Sequence, residues 1–290
     1  MPELPEVEIT ARRLHTALEG AEVESALAAG VATLKTFTPP LAELAGMRVA
    51  GVSRRGKMLE VGFASADGVP PDRRLSLLVH LMSAGRLQLF ETRASLRDRR
   101  SRILVRLTDG RELRLREFGT RQSAWAKLLD SFEVENDEMV ATLGPDAWPA
   151  PPFDDLAERI LEPRHLHPLL RDQRVIAGIG RSWVDEILWE ARLSPFKKGS
   201  ELRGEETKRI HDALHVLGDA IDRYEELVGE TIPDKMPMPL NVHRREGEPC
   251  PRCGTTIEAV FFAEHQMNYC PEEQTGGRVL KDRRLSRLLK

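Results

Sequence analysis

The stretch ILVRLTDGRELRL, residues 103–115, determines the fold class of the N-terminal half. Runs of alternating apolar and polar residues flank Asp109-Gly110, a dipeptide that favours a tight β-turn. Leu113 and Leu115 would then lie on one face of a sheet, and the arginines that follow each of them on the other. The pattern predicts an antiparallel hairpin with one buried face.

A helix is predicted ahead of the strands, over residues 5–19. Val7, Ala11, Leu14 and Leu18 form one apolar stripe with spacings of 4, 3 and 4 residues, which is the helical period. A proline at the start and a glycine just beyond the end suit the two helix boundaries.

Changes in pattern along the chain predict an α+β protein with several domains. Strand patterns extend to about residue 128, and LSLLVHL is a nearly continuous apolar run typical of a buried strand. The stretch GPDAWPAPPFDD (144–155) resembles a linker, and a helical pattern follows it. We place the domains at 1–135, 153–235 and 236–290, with a linker at 136–152.

Charge and hydropathy exclude some classes of protein. The net charge of −3 does not by itself indicate a nucleic-acid binder. Arginines nevertheless cluster at 97–106, and basic residues at 278–290, either as solvated faces or as contacts to an anionic partner. No apolar run approaches a membrane span and no secretory signal precedes the first helix, so we expect a cytoplasmic protein with no membrane partner.

Three cysteines near the C-terminus suggest a metal site. CPRC (250–253) can hold one side of a tetrahedral zinc ion, and Cys270 supplies a third thiolate. A second C-x-x-C would place a cysteine at position 273, where this chain has Glu273. A carboxylate can bind zinc, and the alternatives for the fourth ligand are Glu272, His265 and His243. A metal-free module held by its own packing is the other interpretation.

The stretch VIAGIGRSWVDEIL (175–188) combines a glycine-rich turn with the start of a helix. Backbone N–H groups at a helix N-terminus can bind a phosphate, and Arg181 adds a positive charge beside Gly178 and Gly180. A plain turn between two helices is the alternative. The neighbouring cysteine module favours DNA phosphate.

The chain begins MPELPEVE (1–8), which is either a helix cap or part of an active site. Once Met1 is removed, Pro2 carries the α-amine, whose pKa of about 8 leaves a useful unprotonated fraction at neutral pH. Such an amine can attack an aldehydic sugar carbon and form an iminium. Glu3 is then a candidate general acid or base, and Glu6 could orient both.

Six further motifs make the chain resemble the Fpg/Nei family of bacterial DNA glycosylases over nearly its whole length. They are RRGK (54–57), HLMSAGRL (80–87), LREFG (115–119), LGPDAW (143–148), AGIGRSWVDEIL (177–188) and GEPCPRCG (247–254). The resemblance implies an N-terminal β-sandwich with an N-terminal helix, a helix–two-turn–helix domain and a C-terminal zinc-finger-like β-hairpin.

The resemblance also implies a role for each matching residue. Pro2 would be the nucleophile and Glu3 the proton donor and acceptor, while Lys57 would contact the phosphate near the lesion. Arg116 and Phe118 would fill the space of a flipped base and wedge the opposite strand, although Phe118 also suits a core position. The partner would be damaged double-stranded DNA bound by a monomer, and structural zinc would be the cofactor. The further DNA contacts would be Met82, Gly178, Gly180 and Arg181. The metal ligands would be Cys250, Cys253, Cys270 and Glu273.

Several positions depart from the family pattern. Besides Glu273, His265 stands where the finger carries an arginine, and Arg181 stands where the turn carries an asparagine. The HLMS sequence shifts the void-filling methionine, so Met82 is only a candidate. The loop before the finger lacks a GGST-type sequence. These features resemble a Nei-like or third bacterial branch more than Fpg itself.

The sequence leads to three functional hypotheses. The first is a bifunctional DNA glycosylase and AP lyase of base excision repair, acting through a Schiff base at Pro2. The second is a lesion-binding or junction-binding protein without catalysis. The third, a zinc-ribbon accessory factor of transcription, accounts only for residues 247–290. Intact Pro2, Glu3 and Lys57 favour the first.

Overall fold

A computed structural model describes residues 2–29, 32–65, 73–95, 98–120, 123–262 and 265–281. The chain divides into two compact units, Met1–Thr142 with Ile221–Pro237, and Leu143–Ala220 with Met238–Lys290. Three features named above lie outside the described residues: Met1, Arg97 and the basic tail from residue 282 onward. The side chain of His265 lies outside them as well.

The first unit is mostly β-structure behind one long helix. The described elements, in chain order, are α1 (Leu4–Leu18), β1 (Val23–Ala28), β2 (Arg48–Arg55), β3 (Met58–Ala64), β4 (Arg74–His80), β5 (Gly85–Phe90), β6 (Ser101–Leu107), β7 (Glu112–Glu117), β8 (Trp125–Asp130) and the short helix α2 (Glu138–Ala141). Single 3₁₀ turns lie at Leu41–Leu44 and Ser131–Asn136.

The strands form two antiparallel sheets of four strands, in the orders β1-β6-β7-β5 and β2-β3-β4-β8. Both sheets and α1 contribute to one apolar core, which confirms the expected sandwich with an N-terminal helix. Each fully buried aliphatic side chain contributes roughly 1.5–3 kcal/mol to such a core. The strands therefore hold their loops and the start of α1 in fixed positions.

The local predictions for this unit are confirmed. All four stripe residues of α1 lie in the core: Val7, Ala11, Leu14 and Leu18. β6 and β7 pair antiparallel around Asp109-Gly110, where Gly110 has φ of +96°. The apolar run before residue 81 is β4, an inner strand between β3 and β8.

The second unit is helical and ends in a small hairpin. Its elements are α3 (Phe153–Ile160), α4 (Leu166–Leu170), α5 (Arg181–Glu190), a 3₁₀ turn at Gly199–Glu201, α6 (Gly204–Asp212), the first residues of α7 (His215–Leu227), β9 (Glu258–Phe262), β10 (His265–Tyr269) and α8 (Pro271–Thr275). β9 and β10 pair antiparallel. Trp189 of α5 packs in one apolar cluster with Val242, Cys250 and Cys270, so the helix and the cysteine module share a core.

Within the part of the chain that the structure describes, no helix has the length and apolarity needed to cross a lipid bilayer.

Candidate active site and nucleic-acid interface

The N-terminal residues form a rigid cap on α1. Glu3 has an extended backbone and is the N-cap, followed by Leu4 and Pro5 in the first helical turn. The Glu3 side chain accepts from the backbone N–H of Glu6, and Glu6 Oε2 accepts from the backbone N–H of Glu3 at 2.9 Å. This reciprocal capping box satisfies two donors of the helix end. Pro2 is buried, and Glu3 is only 2 % exposed. Glu3 thus both caps the helix and belongs, with Pro2, to the amine–carboxylate pair that the sequence predicts.

Glu6 is connected to a residue far along the chain. Tyr224, on α7, is fully buried, and its hydroxyl oxygen lies 2.6 Å from Glu6 Oε1 and 3.0 Å from the carbonyl oxygen of Pro237. One hydroxyl hydrogen cannot serve two acceptors. The hydroxyl donates to Glu6 Oε1 at the shorter distance, and the carbonyl oxygen of Pro237 is its alternative acceptor. Burial, followed by the nearby charge of Glu3, raises the pKa of Glu6, and the hydrogen bond from Tyr224 partly offsets this effect.

Replacing Tyr224 with phenylalanine is expected to lower the free energy of unfolding by about 1–3 kcal/mol, because two buried polar groups lose this partner. Urea denaturation measures this change. Cleavage of abasic DNA should also slow, since Glu6 holds the backbone of Glu3. The control is Tyr269→Phe, which removes the other tyrosine hydroxyl of the chain, in the second unit. Equal cleavage rates for the two variants would contradict a role for Tyr224 at this site.

Lys57 lies in the two-residue turn between β2 and β3 and is buried. His80 is paired in register with Met58, the residue after Lys57. Burial, and then the positive charge of Lys57, lower the pKa of His80 to about 4. His80 is therefore neutral at pH 7, and its Nδ1 accepts the backbone N–H of Met82 at 2.9 Å. Sequence analysis did not single out His80, although it begins the HLMSAGRL motif.

The predicted void-filling residues lie on and beside the sheet with the order β1-β6-β7-β5. The Arg116 guanidinium lies 4.8 Å from the centre of the Phe118 ring, a cation–π contact. Phe118 is half-buried and does not belong to the core cluster of this unit. Met82 is also half-buried and has φ of +49°, in the left-handed region that a methionine rarely adopts. The structure brings Arg116 and Phe118 into contact, and their role in filling the space of a flipped base stays a prediction.

The glycine turn lies where it was expected, directly before α5. Gly178 has φ of +100°, and Gly180 is the N-cap of the helix that Arg181 begins. Both glycines are buried, whereas Arg181 is exposed. Gln173 accepts the N–H of Gly178 at 3.0 Å and donates to the carbonyl of Ile179 at 2.9 Å, so the turn is fixed from within. Arg181 is the exposed cation of this turn.

The three cysteines converge. The sulfur atoms of Cys250, Cys253 and Cys270 all lie within 4.8 Å of one another. Zinc–sulfur bonds of about 2.3 Å in a tetrahedron place sulfur atoms about 3.8 Å apart, so these residues fit a zinc ion. Among the residues that the structure describes, no further histidine or acidic side chain joins this group.

Two of the candidate fourth ligands have other partners. Glu273 Oε2 lies 3.1 Å from the Arg192 guanidinium and 3.4 Å from that of Arg252. His243 Nδ1 lies 2.7 Å from Asp185, inside the second unit. The structure therefore supports three thiolate ligands and places Glu273 with arginines.

Fold and site together define a protein with three modules: a sandwich with a capped N-terminal helix, a helical module and a three-cysteine hairpin. Three family models match the chain in this order. They are the formamidopyrimidine-DNA glycosylase N-terminal domain at residues 1–121, its H2TH domain at 143–230, and the zinc finger found in FPG and IleRS at 247–272.

Relatives cover almost the whole chain. A formamidopyrimidine-DNA glycosylase from Chloroflexus aurantiacus is 34% identical over 287 residues, covering 93% of this chain and 96% of the relative. A formamidopyrimidine-DNA glycosylase-like protein from Mycobacterium tuberculosis is 43% identical over 150 residues, which cover 51% of this chain and 94% of that protein. The chain belongs to the formamidopyrimidine-DNA glycosylase (Fpg) family, which confirms the resemblance seen in the sequence.

Solved structures agree with this placement. Lactococcus lactis Fpg in complex with DNA containing N7-benzyl-Fapy-dG has a TM-score of 0.82 and 26% identity, covering 94% of this chain and all of that one (100%). The complex of the same enzyme with DNA containing an abasic site has a TM-score of 0.81. Placement in a Nei-like or third branch stays a prediction.

Proposed function

We propose that this chain is a bifunctional DNA glycosylase and AP lyase that removes oxidised bases from double-stranded DNA. The observation that carries the proposal is the buried pair Pro2 and Glu3 at the start of α1, held by Glu6. The relatives named as formamidopyrimidine-DNA glycosylases, and the complexes with abasic and Fapy DNA, support the same reaction class.

The chemistry begins at the amine of Pro2 after removal of Met1. Its lone pair attacks C1′ of the damaged nucleotide, the N-glycosidic bond breaks, and the base leaves with the proton that the Pro2 nitrogen loses. Glu3 protonates the ring oxygen, so the sugar opens to an iminium. Loss of a proton from C2′ then expels the 3′ phosphate and cleaves the strand, and a δ-elimination can follow.

The other site residues would bind and deform the DNA. Flipping a nucleotide costs a few kcal/mol of unstacking, which inserted side chains partly offset. Arg116, Phe118 and Met82 are our candidates for this insertion. Lys57 and Arg181, the latter with Gly178 and Gly180, are the candidates for phosphate contacts.

Zinc has a structural role in this proposal. Cys250, Cys253 and Cys270 would hold it, with the fourth ligand to be established. The metal would stabilise the hairpin β9–β10 beside α5 and would supply no step of the reaction.

Borohydride trapping tests the proposal. The purified protein, shown by mass spectrometry to lack Met1, is mixed with a duplex carrying one abasic site and reduced. The expected result is a covalent adduct at Pro2. A preparation that retains Met1 is the matched control and should form no adduct there.

The two alternative hypotheses give a different result. A lesion-binding protein without catalysis would bind the same duplex and form no adduct. A transcription accessory factor would neither form an adduct nor prefer the abasic duplex.

A further inference from the structure

The carboxylate of Glu117 is buried at the end of β7, where an apolar side chain would avoid the loss of hydration. Burying a carboxylate costs free energy unless hydrogen bonds or a counter-charge compensate. An ion pair with Arg102 compensates only weakly, because its Nε lies 4.0 Å from Glu117 Oε2. Neither of these two atoms has a hydrogen-bond partner among the residues that the structure describes. The main compensation therefore comes from the other carboxylate oxygen.

Glu117 Oε1 binds two consecutive backbone N–H groups that lie just before β8. It accepts from Ser123 at 2.7 Å and from Ala124 at 2.7 Å. Hydrogen bonds to an ionised acceptor are roughly twice as strong as those between neutral groups. Ala124 also packs closely on β5, since a Cβ atom added to Gly85 would lie 3.0 Å from the Cβ atom of Ala124. The residue that ends β7 thus fixes the point at which the following loop returns to the sandwich.

This loop begins with Phe118, our candidate for insertion into DNA. The backbone N–H of Phe118 donates to the carbonyl of Ala84 at 3.1 Å, so the loop is anchored at its start as well as at its end. The ring contacts two guanidinium groups, with centroid distances of 5.1 Å to Arg100 and 4.8 Å to Arg116. A ring held in place before binding loses less conformational freedom when it enters a complex.

We propose that Glu117 is a positioning residue for Phe118: its carboxylate closes the loop and holds the ring where it can enter the DNA beside the lesion. The inference deepens the proposed function and rests on the insertion of Phe118. Glu117 itself is buried and acts through the backbone of the loop. Without the carboxylate, only a fraction of the molecules present the ring correctly, and the apparent Kd rises as that fraction falls.

The test is a fluorescence titration. The probe is a duplex with one tetrahydrofuran abasic analogue opposite 2-aminopurine, whose fluorescence rises when an inserted side chain unstacks it. Glu117→Ala should lose at least about half of this rise and bind about three- to tenfold more weakly, as expected if the loop is positioned in roughly a third to a tenth of the molecules. Glu117→Gln should keep the rise, because its amide oxygen can still accept both N–H groups.

Glu112→Ala is the matched control for the loss of a buried carboxylate. Glu112 begins β7, is fully buried, and accepts the backbone N–H of Ala94 at 2.8 Å. It lies about 17 Å from Glu117 along the extended strand. The variant should lower thermal stability, measured by circular dichroism, and leave the fluorescence rise unchanged.

Phe118→Ala shows whether Glu117 acts through the ring. If it does, adding Glu117→Ala to Phe118→Ala should change the Kd by no more than about twofold, since the two substitutions remove one shared effect. A full fluorescence rise in folded Glu117→Ala, or independent losses of affinity that multiply in the double variant, would overturn the inference.

Glu117→Asp replaces Glu117→Ala in every comparison if circular dichroism shows that the alanine variant does not fold. It keeps the negative charge, and its shorter side chain withdraws the acceptor from the two N–H groups. If the unmodified protein itself produces no fluorescence rise, it is the insertion of Phe118 in the proposed function that fails.

Discussion

Replacing Glu3 with glutamine is expected to slow excision of an oxidised base by about 10²–10⁴-fold, the usual contribution of a positioned general acid or base. The effect should be chemical, because a glutamine amide oxygen can still accept the Glu6 N–H and cap α1. Loss of an N-cap would otherwise cost about 1 kcal/mol. Single-turnover kinetics on a duplex with one oxidised base measures the rate, and denaturation checks that the fold is kept.

The matched control is Glu19→Gln, at the exposed C-terminal end of the same helix. Like Glu3→Gln, it removes one negative charge from α1, and it should leave the rate of base excision within about twofold of that of the unmodified protein. Pro2→Gly keeps an α-amine, which becomes primary, but loses the ring, so it should slow cleavage and form its adduct less efficiently. Unaltered excision by a protein carrying both Pro2→Gly and Glu3→Gln would rule out the proposed mechanism.

Sequence reasoning succeeded where the signal is local. The stripe of α1 and the turn at Asp109-Gly110 each depend on residues a few positions apart, so periodicity and turn chemistry suffice. The convergence of Cys250, Cys253 and Cys270 followed from ligand spacing in the same way.

The polar contacts that complete the site were not predictable. Tyr224 and Glu6 lie 218 positions apart, and Arg116 and Asp234 lie 118 apart. Neither pair produces a periodic pattern in the sequence, because each partner is a single polar residue in an otherwise ordinary helix, strand or loop. These contacts help explain why Ile221–Pro237 groups with the first unit although helical sequence precedes it. Domain boundaries placed from sequence patterns along the chain cannot detect that this later segment groups with the first unit.

Cys250→Ser is expected to abolish stoichiometric zinc binding and to unfold the hairpin β9–β10. Structural zinc contributes about 10–16 kcal/mol in zinc-finger peptides at neutral pH, far more than a small hairpin can supply by itself. Cys250 also packs in the cluster that contains Trp189, so tryptophan emission should change as the hairpin opens. Metal analysis of the purified protein gives the stoichiometry, and chelator treatment of the unmodified protein should reproduce the emission change.

Glu273→Gln serves as the control and also tests the fourth ligand. Glu273 Oε2 is engaged by Arg192 and Arg252, so we expect the variant to keep its zinc and lose only a modest part of its stability. Loss of zinc from this variant would instead establish Glu273 as the fourth ligand, with the carboxylate leaving the two arginines when metal binds. Retention of zinc by Cys250→Ser would contradict the site itself, because two thiolates would remain and no histidine or acidic side chain of the described residues joins them.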